Sequence, residues 1–138
     1  MRPVLYLFVA IAITSCVFDG GSEDIIGEYS IGWIDIGCTS KIYYGPIGQM
    51  EGQVYEYGWD NKYILAKRHP KCDKKLTDYF IIDMEENWKS KKPHAKTSKS
   101  SPCYDCRLGV HGPFDENTYL SKREDLGVPK GLDFTNEY

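Results

Sequence analysis

Residues 53–59 (QVYEYGW) and 62–68 (KYILAKR) set two runs of aromatic and aliphatic side chains on either side of Asp60-Asn61. Two turn-prone residues between such runs predict a tight antiparallel hairpin. A hairpin alone is marginal in water, so this one requires further strands and a cover for its apolar face. Residues 25–36 (IIGEYSIGWIDI) supply a candidate strand, with Tyr29, Ile31 and Trp33 on one face of a two-residue period and Ile34 and Ile36 on the other. That change of phase predicts a bulge near Gly32. Lys41 to Tyr44 reads as a short strand ended by Gly45-Pro46, and Asp78 to Met84 (DYFIIDM) as another.

The cover is expected near the end of the sequence. Asp115 stands where an N-cap belongs, ahead of a helix over 116–126, and Phe114 and Tyr119 occupy the two positions of a hydrophobic staple. Gly127 can take the left-handed conformation that ends a helix. In this reading Tyr119, Leu120 and Leu126 face the sheet, Lys122, Glu124 and Asp125 stay solvated, and Gly131 to Phe134 adds an edge strand. The expected architecture is α+β: an antiparallel β-meander of four to five strands covered by one C-terminal helix.

The first 16 residues carry a different kind of information. Arg2 is the only charge before Asp19, and Val4 to Ser15 are apolar or hydroxylated. A segment of this length can enter a translocon but falls short of the roughly 20 apolar residues needed to stay across a bilayer. Ile13, Thr14, Ser15 and Cys16 match, position by position, the lipobox of bacterial lipoproteins, whose cysteine thiol receives a diacylglyceryl group. The resemblance implies a signal peptide over 1–15, lipidation of Cys16, and a domain held at the extracytoplasmic side of a membrane in the cell envelope. Residues 16–24, with two glycines and three acids, read as the lipidated cysteine and a flexible tether, and 25–138 as a single domain.

About 120 residues follow the expected cleavage site, enough for one modest core. The 17 Lys and Arg less Arg2 stand against 20 Asp and Glu, an acidic balance that argues against a general nucleic-acid binder. The charge is uneven: residues 17–61 balance to −7, 62–99 to +6 and 100–138 to −3. A basic centre between acidic ends fits either a binding face or pairing between segments of the same chain.

Residues 57–70 (YGWDNKYILAKRHP), 79–83 (YFIID), Gly112-Pro113 and 122–134 (KREDLGVPKGLDF) resemble a family of small bacterial lipoproteins known only as a domain of unknown function. The resemblance covers most of 25–135. It implies extracytoplasmic anchoring and supplies no catalytic residue to carry over. The cysteines and a lysine-rich stretch depart from the family pattern.

Besides Cys16 there are four cysteines, Cys38, Cys72, Cys103 and Cys106, and an even number in an exported domain points to disulfides. Three pairings are open. Cys38 with Cys72 and Cys103 with Cys106 is favoured, worth roughly 4 and 2 kcal/mol by loop-closure entropy; pairing of Cys103 or Cys106 with an upstream cysteine is the alternative. As a redox pair Cys103-x-x-Cys106 lacks the helix N-terminus that would activate it, since Leu108 to Pro113 cannot readily be helical. As zinc ligands the two would need completion by Cys38, Cys72, His69, His94 or His111, and no second closely spaced pair exists. The reading therefore assigns neither metal nor cofactor, and places the histidines at the surface or in turns.

Residues 88–102 (WKSKKPHAKTSKSSP) hold five lysines and no acid and read as a solvated loop able to meet anionic polymers or headgroups. Among eleven tyrosines and three tryptophans, exposed rings such as Tyr43, Tyr44, Tyr55 or Trp59 would make a carbohydrate or protein platform, although most must be core. No G-x-S-x-G, H-E-x-x-H or phosphate-binding glycine loop is present, and Glu85-Glu86 reads as solvating a strand end. The leading expectation is a non-catalytic, membrane-anchored module that binds an envelope protein or anionic polymer. The alternative is an immunity-type or inhibitor lipoprotein neutralising a toxin or hydrolase.

Overall fold

Asp60 closes the hairpin. Its Oδ1 accepts hydrogen bonds from the backbone N–H groups of Lys62 and Tyr63, both at 2.7 Å, and the Asp60 N–H donates to the Tyr63 carbonyl at 3.0 Å. A carboxylate that bonds the backbone two and three residues on fixes a turn without needing glycine. Around this hairpin the computed structural model describes residues 20–34, 38–50, 52–89 and 107–138. Among them run strands β1 (Gly20–Ile26), β2 (Tyr29–Ile34), β3 (Lys41–Tyr44), β4 (Ile47–Gly48), β5 (Gln53–Trp59), β6 (Tyr63–His69) and β7 (Asp78–Asp83). Helix α1 (Met84–Lys89), strand β8 (Val110–Phe114), helix α2 (Glu116–Asp125) and strand β9 (Asn136–Glu137) follow.

The strands form two antiparallel sheets, one ordered β1-β2-β3-β4 and the other β8-β7-β6-β5-β9. Ser40 and Val54 join them: the Val54 N–H donates to the Ser40 carbonyl at 3.0 Å, and the Ser40 hydroxyl returns a bond to the Val54 carbonyl at 2.6 Å. The fold is thus α+β with antiparallel hairpin connections, and it has one more layer than expected.

Alternation along the central strand explains the three layers. Ile64 and Ala66 of β6 pack with Phe80 and Ile82 of β7 against Ile25, Tyr29, Ile31 and Ile42 of the four-stranded sheet. Tyr63, Leu65 and Ile81 face the other way, onto Tyr119, Val128 and Leu132. Residues 63–66 are consequently buried on both faces, which is why Tyr-Ile-Leu-Ala lacks a polar alternate. Full burial of one such aliphatic side chain contributes about 1.5–3 kcal/mol, so this strand is the energetic centre of the molecule.

The C-terminal cover forms largely as its caps predict. Asp115 Oδ1 accepts from the Thr118 N–H at 2.8 Å, Phe114 and Tyr119 share a cluster, and Gly127 takes φ +69°. The Tyr63 hydroxyl donates to the Leu126 carbonyl, and the Arg123 guanidinium to the carbonyls of Pro129 and Leu132, which ties the segment after the helix to the sheet. Replacing Asp115 by alanine is expected to lower the urea midpoint by removing the cap on the Thr118 N–H, whereas Asp115→Asn retains most of it.

Four local expectations are corrected. Residues 20–24, read as tether, lie in β1, where backbone pairing to β2 (Gly20 opposite Ile34, Asp24 opposite Ser30) holds a strand of mostly exposed side chains. The segment 25–36 is not one strand: Gly27 at φ +59° turns the chain between β1 and β2, and the irregular register falls at Asp24/Ile26 rather than at Gly32. Leu120 is 51% exposed, because one residue past Tyr119 is about 100° around the helix and off the buried stripe. The final edge strand is Asn136–Glu137 instead of 131–134; Leu132 and Phe134 serve as packing, while β9 pairs with β5.

Helix α1 and strand β8, like the two-residue β4, are additional to the elements expected from the sequence. Helix α1 begins at Asp83, whose Oδ1 accepts from the N–H groups of Glu85 and Glu86 at 3.0 Å each. Trp88 and Lys89 end this helix rather than opening the lysine-rich loop, and residues 90–102 lie outside the described residues. Strand β8 pairs with β7 at the sheet edge, a position that tolerates Pro113.

Candidate functional site

The outer face of the four-stranded sheet, turned away from the core, carries the candidate site. Register sets its content: Ser22 of β1 lies opposite Gly32 of β2, which lies opposite Lys41 of β3, while Ser30 lies opposite Tyr43. With Ile31 and Ile42 turned inward and fully buried, the two-residue period sends Ser22, Ser30, Gly32, Lys41 and Tyr43 outward. Gly32 leaves a depression, and the edge of the Tyr43 ring fills part of it: a Cβ at Gly32 would stand 3.1 Å from the ring. The result is an open groove of about 400 Å³.

One end of the groove is held by Thr39, whose hydroxyl donates to the Ile34 carbonyl at 2.7 Å and accepts from the Ile34 N–H at 3.1 Å. These bonds continue the β2 pairing past the strand's end and set Ile34 at the mouth. Lys41 is half-buried and makes no ion pair within 4 Å among the described residues. The groove therefore offers a partly supported phenol ring, hydroxyls that both donate and accept, and a lysine with no ion-pair partner within 4 Å among the described residues. This is the chemistry of recognition by stacking, hydrogen bonding and a single ionic contact.

Of the rings considered as a platform, Tyr43 alone lines this groove. Tyr44 turns to the core edge and meets Tyr29 edge-on at 4.9 Å; burial, with a hydrogen bond and negative charge from Glu28, pushes its pKa up to about 12. Tyr55 stacks on His69 at 3.9 Å, and Trp59 stacks on Tyr57 at 5.8 Å. Burial also raises Tyr29, Tyr57, Tyr79 and Tyr119, so ionising these phenols opposes folding. A group whose folded pKa lies above its unfolded value of about 10 gives stability that is complete below pH 10 and is lost as pH rises through the folded value. The domain is expected to hold a constant urea midpoint from pH 7 to 9.5 and to lose stability steeply between pH 10 and about 12. A flat midpoint across that range, followed by circular dichroism, would contradict the buried-tyrosine arrangement.

Cys38 and Cys72 stand at disulfide distance, Cα to Cα 5.5 Å, linking the loop before β3 to the turn after β6. Cys16, Cys103, Cys106 and His94 lie outside the described residues. The His69 Nδ1–H donates to the Leu76 carbonyl at 2.9 Å, and His111 meets Glu86 at 3.0 Å, so the two histidines sit on separate strands with separate partners. Among the described residues no group of three or more His, Cys, Asp or Glu side chains is placed to hold a metal. The basic centre pairs with the acidic segment before it through Lys67 and Glu56, while the Arg68 fork on Asp78, at 2.9 and 3.0 Å, stays within 62–99.

A buried polar cluster lies between the layers. The Asn87 amide donates to the Tyr29 hydroxyl at 2.9 Å and to Gln49 Oε1 at 2.7 Å, which joins α1 to β2 and to the loop after β4. This cluster went unread in the sequence because α1 itself did; Asp83 followed by Glu86 is the spacing of a helix-starting box and was the available signal.

No protein-family model, no curated protein and no solved structure matches the chain. No helix among the described residues is long and apolar enough to cross a membrane.

Proposed function

We propose that the protein is a bacterial lipoprotein, anchored through Cys16 on the extracytoplasmic side of a membrane, whose domain binds an anionic envelope polymer in the groove of the four-stranded sheet. The anchor rests on residues 2–16. The binding role rests on one observation: Tyr43 and Lys41 project from alternate positions of β3 onto the outer face, where the Tyr43 ring lies against Gly32, with the lysine charge uncompensated by a neighbouring carboxylate within 4 Å among the described residues. A sugar ring stacks on the phenol, its hydroxyls meet Ser22 and Ser30, and a phosphate or carboxylate on the polymer pairs with Lys41.

Retention of the detergent-solubilised, lipidated protein on immobilised envelope polysaccharide tests this reading. Tyr43→Ala and Lys41→Glu are each expected to weaken retention about tenfold, the cost of one well-placed contact, with the thermal midpoint unchanged. Retention that is indifferent to both substitutions, or a stable one-to-one complex with an envelope hydrolase that survives them, would replace the polymer-binding role by the inhibitor reading.

A further inference from the structure

One end of the four-stranded sheet leaves large apolar side chains exposed: Trp33 and Ile34, on opposite faces of β2, and Tyr138 against Trp33. Trp33 is 36% exposed, Ile34 57% and Tyr138 40%, and the Trp33 and Tyr138 rings meet edge-on at 5.0 Å. Trp33 and Ile34 lie opposite Gly21 and Gly20, the residues that open β1. The Trp33 ring occupies the space above Gly21, where a Cβ would lie 2.4 Å from it, and Ile34 lies 3.6 Å from the corresponding point on Gly20. The rim these side chains form is therefore built around the first two residues of the described domain.

Only three residues separate Gly20 from Cys16. Even fully extended, that stretch spans about 14 Å. The headgroup zone of each leaflet is roughly 5–7 Å deep, so a diacylglyceryl group on Cys16 brings the Gly20 end of β1 close to the bilayer. The side chains surrounding that end are a tryptophan, a tyrosine and an isoleucine, the first two being the residues that favour membrane–water interfaces. The charges on this part of β1 are acidic, Glu23 and Asp24, which disfavours anionic lipid and favours a zwitterionic surface.

We propose that Trp33, Ile34 and Tyr138 rest in the headgroup zone of a zwitterionic phospholipid membrane and set the orientation of the anchored domain. This second contact rests on lipidation at Cys16. It turns a single flexible point of attachment into a seated one, with Ile34 at the bilayer and the Tyr43 end of the groove directed away from it.

The test uses the mature lipidated protein on phosphatidylcholine vesicles whose acyl chains carry bromine near the ester end. In a variant with Trp59→Phe and Trp88→Phe, leaving Trp33 as reporter, emission is expected to fall by about half on brominated relative to ordinary vesicles, as for an interfacial indole. If that variant fails to fold, the same quenching is read in the wild type and must disappear with Trp33→Phe. Protein that floats with the vesicles yet shows no Trp33 quenching overturns the seated rim and leaves the anchor standing. Protein that does not float with them overturns both.

Discussion

Leu65→Ala will cost about 3 kcal/mol and lower the thermal midpoint by roughly 10 °C, while Leu120→Ala changes it by no more than about 2 °C. Both are leucines from the two layers that meet between β6 and α2, and both lose the same atoms. Leu65 has no exposed surface and packs among Tyr63, Ile81, Tyr119, Val128 and Leu132, so truncation leaves a cavity bounded by a sheet that its other layer holds in place. Leu120 already meets water. Urea denaturation of both variants checks the pair. Equal, small effects would mean that the helix does not close over this face of the five-stranded sheet.

Replacing Cys38 and Cys72 together by serine will cost about 4 kcal/mol. The pair closes a loop across 34 positions that includes β3, β4 and the whole of the central hairpin, and the entropy denied to the unfolded chain by such a loop sets the magnitude. Cys38 at φ +74° and Cys72 at φ +65° both sit in the left-handed region that side chains other than glycine rarely adopt. Serine inherits that cost without the link. Substitution is a cleaner probe than reductant because it leaves Cys103 and Cys106 untouched. An unchanged urea midpoint in the double variant would show that the two sulfurs are not joined in solution.

The parts of the fold legible in the sequence are those where a local rule and the tertiary structure agree. Asp60 sets its turn through its own side chain, and Asp115, Phe114 and Gly127 mark the limits of α2 by capping chemistry. What escaped depends on backbone pairing that composition does not show. Residues 20–24 (GGSED) read as a tether by composition, yet they pair with β2, the next strand along the chain. Strand β9 is Asn-Glu, ordered by β5. The unbroken apolar run at 63–66 was visible, yet which second layer covers it follows from the separation of 20–48 into its own sheet.

The groove was legible only in fragments for the same reason. Tyr43 stood among several candidate rings, and nothing local distinguishes it from Tyr44, one residue away and on the opposite face. The change of phase around Gly32 points to a bulge, and the irregular register lies instead at Asp24/Ile26. The site arises when register sets Ser22, Gly32 and Lys41 in one row and Ser30 with Tyr43 in the next, a relation among three strands that no window of sequence contains.

Anchoring through Cys16 underlies both the binding role and the seated rim, and the intact mass of the native, membrane-extracted protein tests it most directly. The expected result is a chain that begins at Cys16, heavier than its amino acids by a diacylglyceryl group and lighter by the hydrogens lost on joining Cys38 to Cys72. A mass corresponding to all 138 residues, with the Cys16 sulfur unmodified, would contradict it.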